Sequence, residues 1–255
     1  MEIIYLVFKK MLVIILQSET KQCDNNIANL KHLFSDPFFI VQVCKVDEDI
    51  NIDNHHMRKA LNFAAEGPYQ NYQPTYAWAK LPVLIVKDSS VSYLDRNLIK
   101  ERILTALDKA SHADLYYLCK WNDACHKFVD VDNSEDLKYS LQPTSTQAII
   151  YSSSSRDKVR EALLETKLNL SEYLNLQISQ SKLSAVIFSP NIIQYDINLA
   201  RTKDDFLKLN ECQQMVKVTN ETSSTQIVWL IVFIILVVIV LWVCFQVYGH
   251  EKLLI

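Results

Sequence analysis

Short apolar runs alternate with amphipathic stretches along most of this chain, until one long apolar segment breaks the pattern near the C-terminal end. Leu12–Leu16 reads as a strand, and polar Gln17–Asn26, a helix over Ile27–Phe34 and a second strand over Phe38–Val43 follow it. Together they predict a strand–helix–strand unit. Met57–Ala65 has helical spacing, with Leu61, Ala64 and Ala65 on one side. Val83–Val86 is apolar on both faces, as a central parallel strand is, and ends in polar Lys87-Asp88-Ser89-Ser90. Leu98–Ala110 carries a helical stripe of Ile99, Ile103, Leu104 and Leu107. Ala113–Leu118 and Thr146–Tyr151 read as further strands, separated by an acidic loop over Asp130–Asp136. Arg156–Leu164 reads as a helix capped from the Ser152–Ser155 run. Strands alternating with helices predict an open α/β sheet, mostly parallel and covered on both faces. Its ligands are expected beyond the carboxyl ends of the strands, where Asp88 and Asn122-Asp123 lie.

The long apolar segment runs from Ile227 to Phe245 without a charged residue, long enough to cross a bilayer as one helix. A transmembrane helix is therefore expected over 227–247, behind a juxtamembrane linker over 201–226 and ahead of a short tail over 248–255. Residues 11–200 form the expected α/β domain, and 1–10 read as an N-terminal extension. The apolar pieces Ile3–Phe8 and Met11–Leu16 are each too short to span. Arg201, Lys203, Lys208 and Lys217 precede the span and Lys252 follows it, so the charge bias favours a cytosolic main domain.

Composition narrows the chemistry. Charge is nearly balanced, with 26 Lys and Arg against 29 Asp and Glu and no basic stripe, so nucleic acid is not an expected partner. Only two glycines occur in 255 residues, Gly67 and Gly249. That excludes a P-loop and the G-x-G-x-x-G fingerprint, both of which need several glycines for the backbone to approach phosphate. Six scattered cysteines do not form a secreted disulfide framework. The spacing of Cys119, Cys125 and His126 lacks the second ligand pair of a zinc knuckle. The aromatic cluster Tyr69, Tyr72, Tyr76 and Trp78 suits either a sugar-stacking surface or the lid of a core.

Several words then occur in order: A-L-x-x-A at 60–64, L-P-V-L-I-V-K-D-S-S at 81–90, I-K-E-R-I-L-T-A-L at 99–107, A-D-L-Y-Y-L at 113–118, T-Q-A-I-I-Y-S-S-S-S-R-D-K-V at 146–159 and L-S-E-Y-L-N at 170–175. This order resembles glycosyltransferase family 25, which includes lipopolysaccharide-biosynthesis and procollagen galactosyltransferase enzymes on a GT-A fold. The resemblance covers most of Leu12–Asn198. The chain is also similar to tail-anchored proteins of large DNA viruses, which implies a virion or host membrane as its location.

The resemblance implies a nucleotide-sugar donor, and a glycan, lipid or protein hydroxyl as acceptor. In the family, the strand matching Val83–Val86 ends in acidic residues, commonly Glu-Asp-Asp, that hold a divalent cation, usually manganese. Here Lys87-Asp88-Ser89 stand in their place, which leaves Asp88 as the metal ligand. A lone carboxylate is a poor site for a hard divalent ion. Lys87 is then expected to stabilise the leaving phosphate, or Asp123 to supply a second carboxylate. Glu172 matches the region of the acceptor base. Two readings follow: a membrane-anchored sugar transferase, or a catalytically inactive descendant of that fold with a structural or interaction role. The expected topology is tested by adding protease to sealed membranes. Loss of the main domain supports it, and cleavage of the short tail alone overturns it.

Overall fold

The computed structural model describes residues 10–17, 24–45, 53–66, 80–120, 129–132 and 134–196. The chain divides into two compact units, Met1–Gln213 and Gln214–Ile255, and every described residue belongs to the first. The linker 201–226, the expected span 227–247, the tail 248–255 and residues 1–9 of the extension 1–10 lie outside the described residues. Among the described residues no helix is long and apolar enough to cross a membrane.

The first unit is an α/β structure. Its strands are β1 (Met11–Gln17), β2 (Phe39–Lys45), β3 (Val83–Lys87), β4 (Ser90–Val91), β5 (Leu115–Tyr117), β6 (Val129–Asp130), β7 (Leu137–Tyr139), β8 (Ala148–Tyr151), β9 (Ala185–Phe188) and β10 (Gln194–Tyr195). The helices are α1 (Asp24–Leu33), α2 (Asp53–Glu66), α3 (Arg96–Lys109), α4 (Ser153–Glu165) and α5 (Leu170–Ser179). Eight strands form one sheet in the order β2-β1-β3-β8-β5-β9-β7-β6, and β10 pairs with β4 in a separate ribbon.

The sheet is mixed. β1 pairs in parallel with β2 and β3, and β5 with β9, while β7 and β8 run against the strands beside them. Val83–Val86 is thus central as expected, with a parallel neighbour on one side and antiparallel β8 on the other. The stretch expected to be an acidic loop instead begins with β6 and leads into β7, the two pairing Val129 with Tyr139.

The apolar strands serve two cores at once. Met11, Val13 and Ile15 pack on one face with Ile27 and Leu30 of α1, with Phe34 just after it, and with Ile99 and Ile103 of α3. Leu12, Ile14 and Leu16 pack with α2, α4 and α5 on the other, through Met57, Leu61, Val159, Leu163, Leu174 and Ile178. Successive strand residues point to opposite faces, so a strand covered on both reads as an unbroken apolar run.

Local chemistry sets the helix ends. Asp95 caps α3 by accepting from the N–H groups of Asn97 at 2.8 Å and Leu98 at 3.0 Å, which starts this helix before Leu98. Ser152 caps α4 by accepting from Ser155 N–H at 3.2 Å. α5 ends with Ser181 in the left-handed region, φ 56°, a position that glycine usually fills. The Asp36 carboxylate accepts from Phe38 N–H at 2.8 Å and forms an ion pair with Lys100 at 2.9 Å, tying the turn after α1 to α3. Those two partners, the Phe38 N–H foremost, hold its carboxyl below the usual range.

Tyr116 of β5 is buried and donates its hydroxyl to Ala110 O at 2.6 Å. Burial foremost, then the charges of Tyr139 and Asp114, push its pKa up from 10.0 to about 12. An unfolded tyrosine loses its proton first, so stability falls as the pH rises between those two values. The loss is expected to approach about 2 kcal/mol by the top of that range. Melting temperatures at pH 7, 10 and 12 check this, with the Tyr116→Phe variant expected to show the shallower alkaline decline.

Candidate functional site

The chain steps from β1 outward to β2 and then returns to the far side of β1 with β3. The carboxyl ends of β1 and β3, on either side of that reversal, are the expected position for a ligand in an open α/β sheet. Polar groups gather there. Lys87 and the turn Asp88-Ser89 close β3, and Asp88 N–H donates to Leu16 O at 2.9 Å across the end of β1. Because β8 is antiparallel to β3, the residues just before β8 arrive at the same edge. The pairing of Val86 with Ala148 sets Lys87 opposite Gln147, whose carbonyl accepts from Lys87 N–H at 2.9 Å.

Side chains then lock the turn. Lys87 Nζ donates to Thr146 Oγ1 at 2.9 Å, and Gln147 Nε2 donates to Ser89 Oγ and Ser90 Oγ, both at 2.8 Å. Gln147 N–H donates to Ser145 Oγ at 3.0 Å. Asp88, Ser90, Ser145, Thr146 and Gln147 are all buried. The end of β10 closes the cluster: Asp196 N–H donates to Ser89 O at 2.8 Å, and Asp196 Oδ2 accepts from Asn26 Nδ2 of α1 at 3.0 Å. Ser90, Ser145, Thr146 and Gln147 each take part in these hydrogen bonds, which offsets the cost of burying them.

A cleft of about 860 Å3 adjoins the cluster through Ser90. Asn29 and Leu33 of α1 line one side, and Leu94, Asp95 and Glu101 line the other. Its size falls within the range of small-molecule sites.

Of the residues expected from sequence, Lys87, Asp88 and Ser89 come together in the turn. Asp123 lies outside the described residues, as do Tyr69, Tyr72, Tyr76, Trp78, Cys125 and His126. Cys119 is buried. Glu172 sits in the first turn of α5, where its Oε2 accepts from Asn169 N–H at 3.2 Å while its own N–H donates to Asn169 Oδ1 at 2.9 Å. These bonds form a capping box, so the carboxylate is engaged in starting its helix.

The turn does not fit a hard divalent cation. It offers one carboxylate, Asp88, beside the Lys87 ammonium; the Ser89 and Ser90 oxygens already accept from Gln147, and the Asp196 carboxylate accepts from Asn26. Such ions take several oxygen ligands, carboxylates among them. Among the described residues no group of three His, Cys, Asp or Glu side chains gathers to hold a metal.

Asn26, Thr146, Gln147 and Asp196 were not picked out by sequence reasoning. The one available signal was the polar triplet Ser145-Thr146-Gln147 directly ahead of the apolar strand Ala148–Tyr151. No family model matches this chain, and no curated protein does.

Replacing Glu172 with Ala is expected to cost about 1 kcal/mol of stability through loss of the capping box. Thermal melts of the variant and of Asn169→Ala check this, and comparable losses from both are the expected outcome.

Proposed function

We propose that this protein is a membrane-anchored, glycosyltransferase-like protein that binds a nucleotide-sugar donor at the carboxyl end of β3. The observation that carries the proposal is the buried polar cluster at the carboxyl ends of β1 and β3, with a cationic side chain and hydroxyl groups fixed on the turn. The donor diphosphate sits against Lys87, and the adjoining cleft takes the remainder of the donor. In the transfer, the bond between the sugar anomeric carbon and the phosphate oxygen breaks, and the acceptor hydroxyl oxygen bonds to that carbon. The nucleoside diphosphate leaves with the bonding electron pair, and the Lys87 ammonium stabilises the negative charge. The acceptor proton passes to a carboxylate, the role that the family resemblance gives to Glu172, with Asp123 as the other candidate. The apolar segment 227–247 holds the domain at a cellular or virion membrane, with the cytosol as the source of nucleotide sugars.

A second reading has its own support. Glu172 is committed to a capping box, and the acidic residues of the family motif are replaced by Lys87 and Ser89. Both facts favour an inactive descendant of the transferase fold that serves as a structural or interaction protein.

Calorimetric titration of the full chain in detergent with uridine and guanosine diphosphates and their sugars, with manganese or EDTA, tests the donor site. Binding in EDTA, weakened about tenfold or more by Lys87→Met, is expected. Release of nucleoside diphosphate in the presence of acceptor would support the transferase. Binding without turnover would support the inactive descendant, and absence of binding to every nucleotide would overturn the donor site.

A further inference from the structure

We propose that Gln147 is a positioning residue that turns the hydroxyl groups of Ser89 and Ser90 into a pair of hydrogen-bond donors for a phosphate oxygen, independent of any metal. A side-chain amide nitrogen carries two hydrogens and accepts nothing. Gln147 spends both, one on Ser89 Oγ and one on Ser90 Oγ, each at 2.8 Å. Each serine oxygen is thereby an acceptor toward Gln147 and keeps its own hydrogen for another partner. Among the described residues neither serine side chain makes a further hydrogen bond. Ser89 is half-buried and Ser90, though 1% exposed, lines the adjoining cleft, from which a ligand oxygen supplies the missing acceptor.

Gln147 is well held for this task. It is 2% exposed, its N–H donates to Ser145 Oγ at 3.0 Å, and its carbonyl accepts from Lys87 N–H at 2.9 Å. The residue before it, Thr146, accepts from Lys87 Nζ at 2.9 Å. One dipeptide just before β8 therefore orients a cation and two hydroxyl donors on the facing turn. The Lys87 ammonium and the two hydroxyl hydrogens are donors, which suits an oxyanion, although the carboxylates of Asp88 and Asp196 share the cluster. The reversed amide would draw the serine hydrogens inward and present lone pairs, which suits a cation instead.

The inference deepens the donor-site reading and rests on it for what carries the phosphate. Inorganic pyrophosphate, titrated calorimetrically into the full chain in detergent with EDTA, is the probe. Wild type is expected to bind it, and Gln147→Met, which fills the same space without hydrogens to donate, is expected to bind about tenfold more weakly. The Ser89→Ala/Ser90→Ala variant should lose as much. Adding Gln147→Met to that pair should cost nothing more, because the glutamine acts only through the serines. Melting curves establish that each variant is folded, and Ser89→Ala alone, at a half-buried position, replaces the pair if the pair is not. Failure of wild type to bind pyrophosphate overturns the inference. So does an unchanged Gln147→Met affinity, or a further tenfold loss in the triple variant. The sugar-donor reading fails separately if pyrophosphate binds but no nucleotide sugar binds more tightly than pyrophosphate does.

Discussion

Burial of both faces of the central strands is the constraint on which the rest of this structure depends. In β1 each successive residue belongs to the opposite core, Val13 and Ile15 to one and Leu12 and Ile14 to the other. Both faces must then be covered by helices, and the chain must pass repeatedly from one face of the sheet to the other. β1 and β3 therefore become neighbours only after the excursion through α1, β2 and α2. Polar side chains are excluded from the middle of such a sheet and collect at the ends of its strands. The polar character of the end of β3 has this cause.

Strand direction decides which polar groups meet. Thr146 and Gln147 precede an apolar strand, and in a parallel arrangement they would lie at the opposite edge of the sheet from Lys87. β8 runs antiparallel to β3, so its amino-terminal approach and the carboxyl end of β3 share an edge. The bonds from Lys87 to Thr146 and from Gln147 to Ser89 and Ser90 follow from that reversal.

Scarcity of glycine shapes both the scaffold and the site. α5 ends on a serine in the left-handed region, at a cost of about 1 kcal/mol relative to glycine. More consequentially, a loop without glycine does not readily bring its backbone N–H groups close to a phosphate. A phosphate site in this chain has to be built from side-chain donors, and Lys87, Ser89 and Ser90 are of the right chemical type. The same loop composition explains why the donors need an external support: hydroxyl groups rotate, and only a fixed partner gives them a direction.

Much of the scaffold was legible in the residue pattern. Helical and strand periodicity located β1, β2, β3, β5, β8 and the helices α1 to α4 to within a few residues, because apolar spacing reports which faces are buried. α3 begins two residues before the expected Leu98 because Asp95, and not an apolar residue, starts it. The ribbon of β4 and β10 and the short strands β6 and β7 carried no periodic signal, being too brief to show one. In the site, Lys87, Asp88 and Ser89 were readable as polar residues at the end of a buried strand. Asn26, Thr146, Gln147 and Asp196 were not, because contacts between Asn26 and Asp196 or Gln147 and Ser89 join segments far apart in sequence. By itself the sequence determined the α/β class, the apolar segment 227–247 and the absence of a glycine-built phosphate loop. Strand order and direction were decided only in the tertiary structure, since side-chain alternation is the same whichever way a strand runs and whichever strand lies beside it.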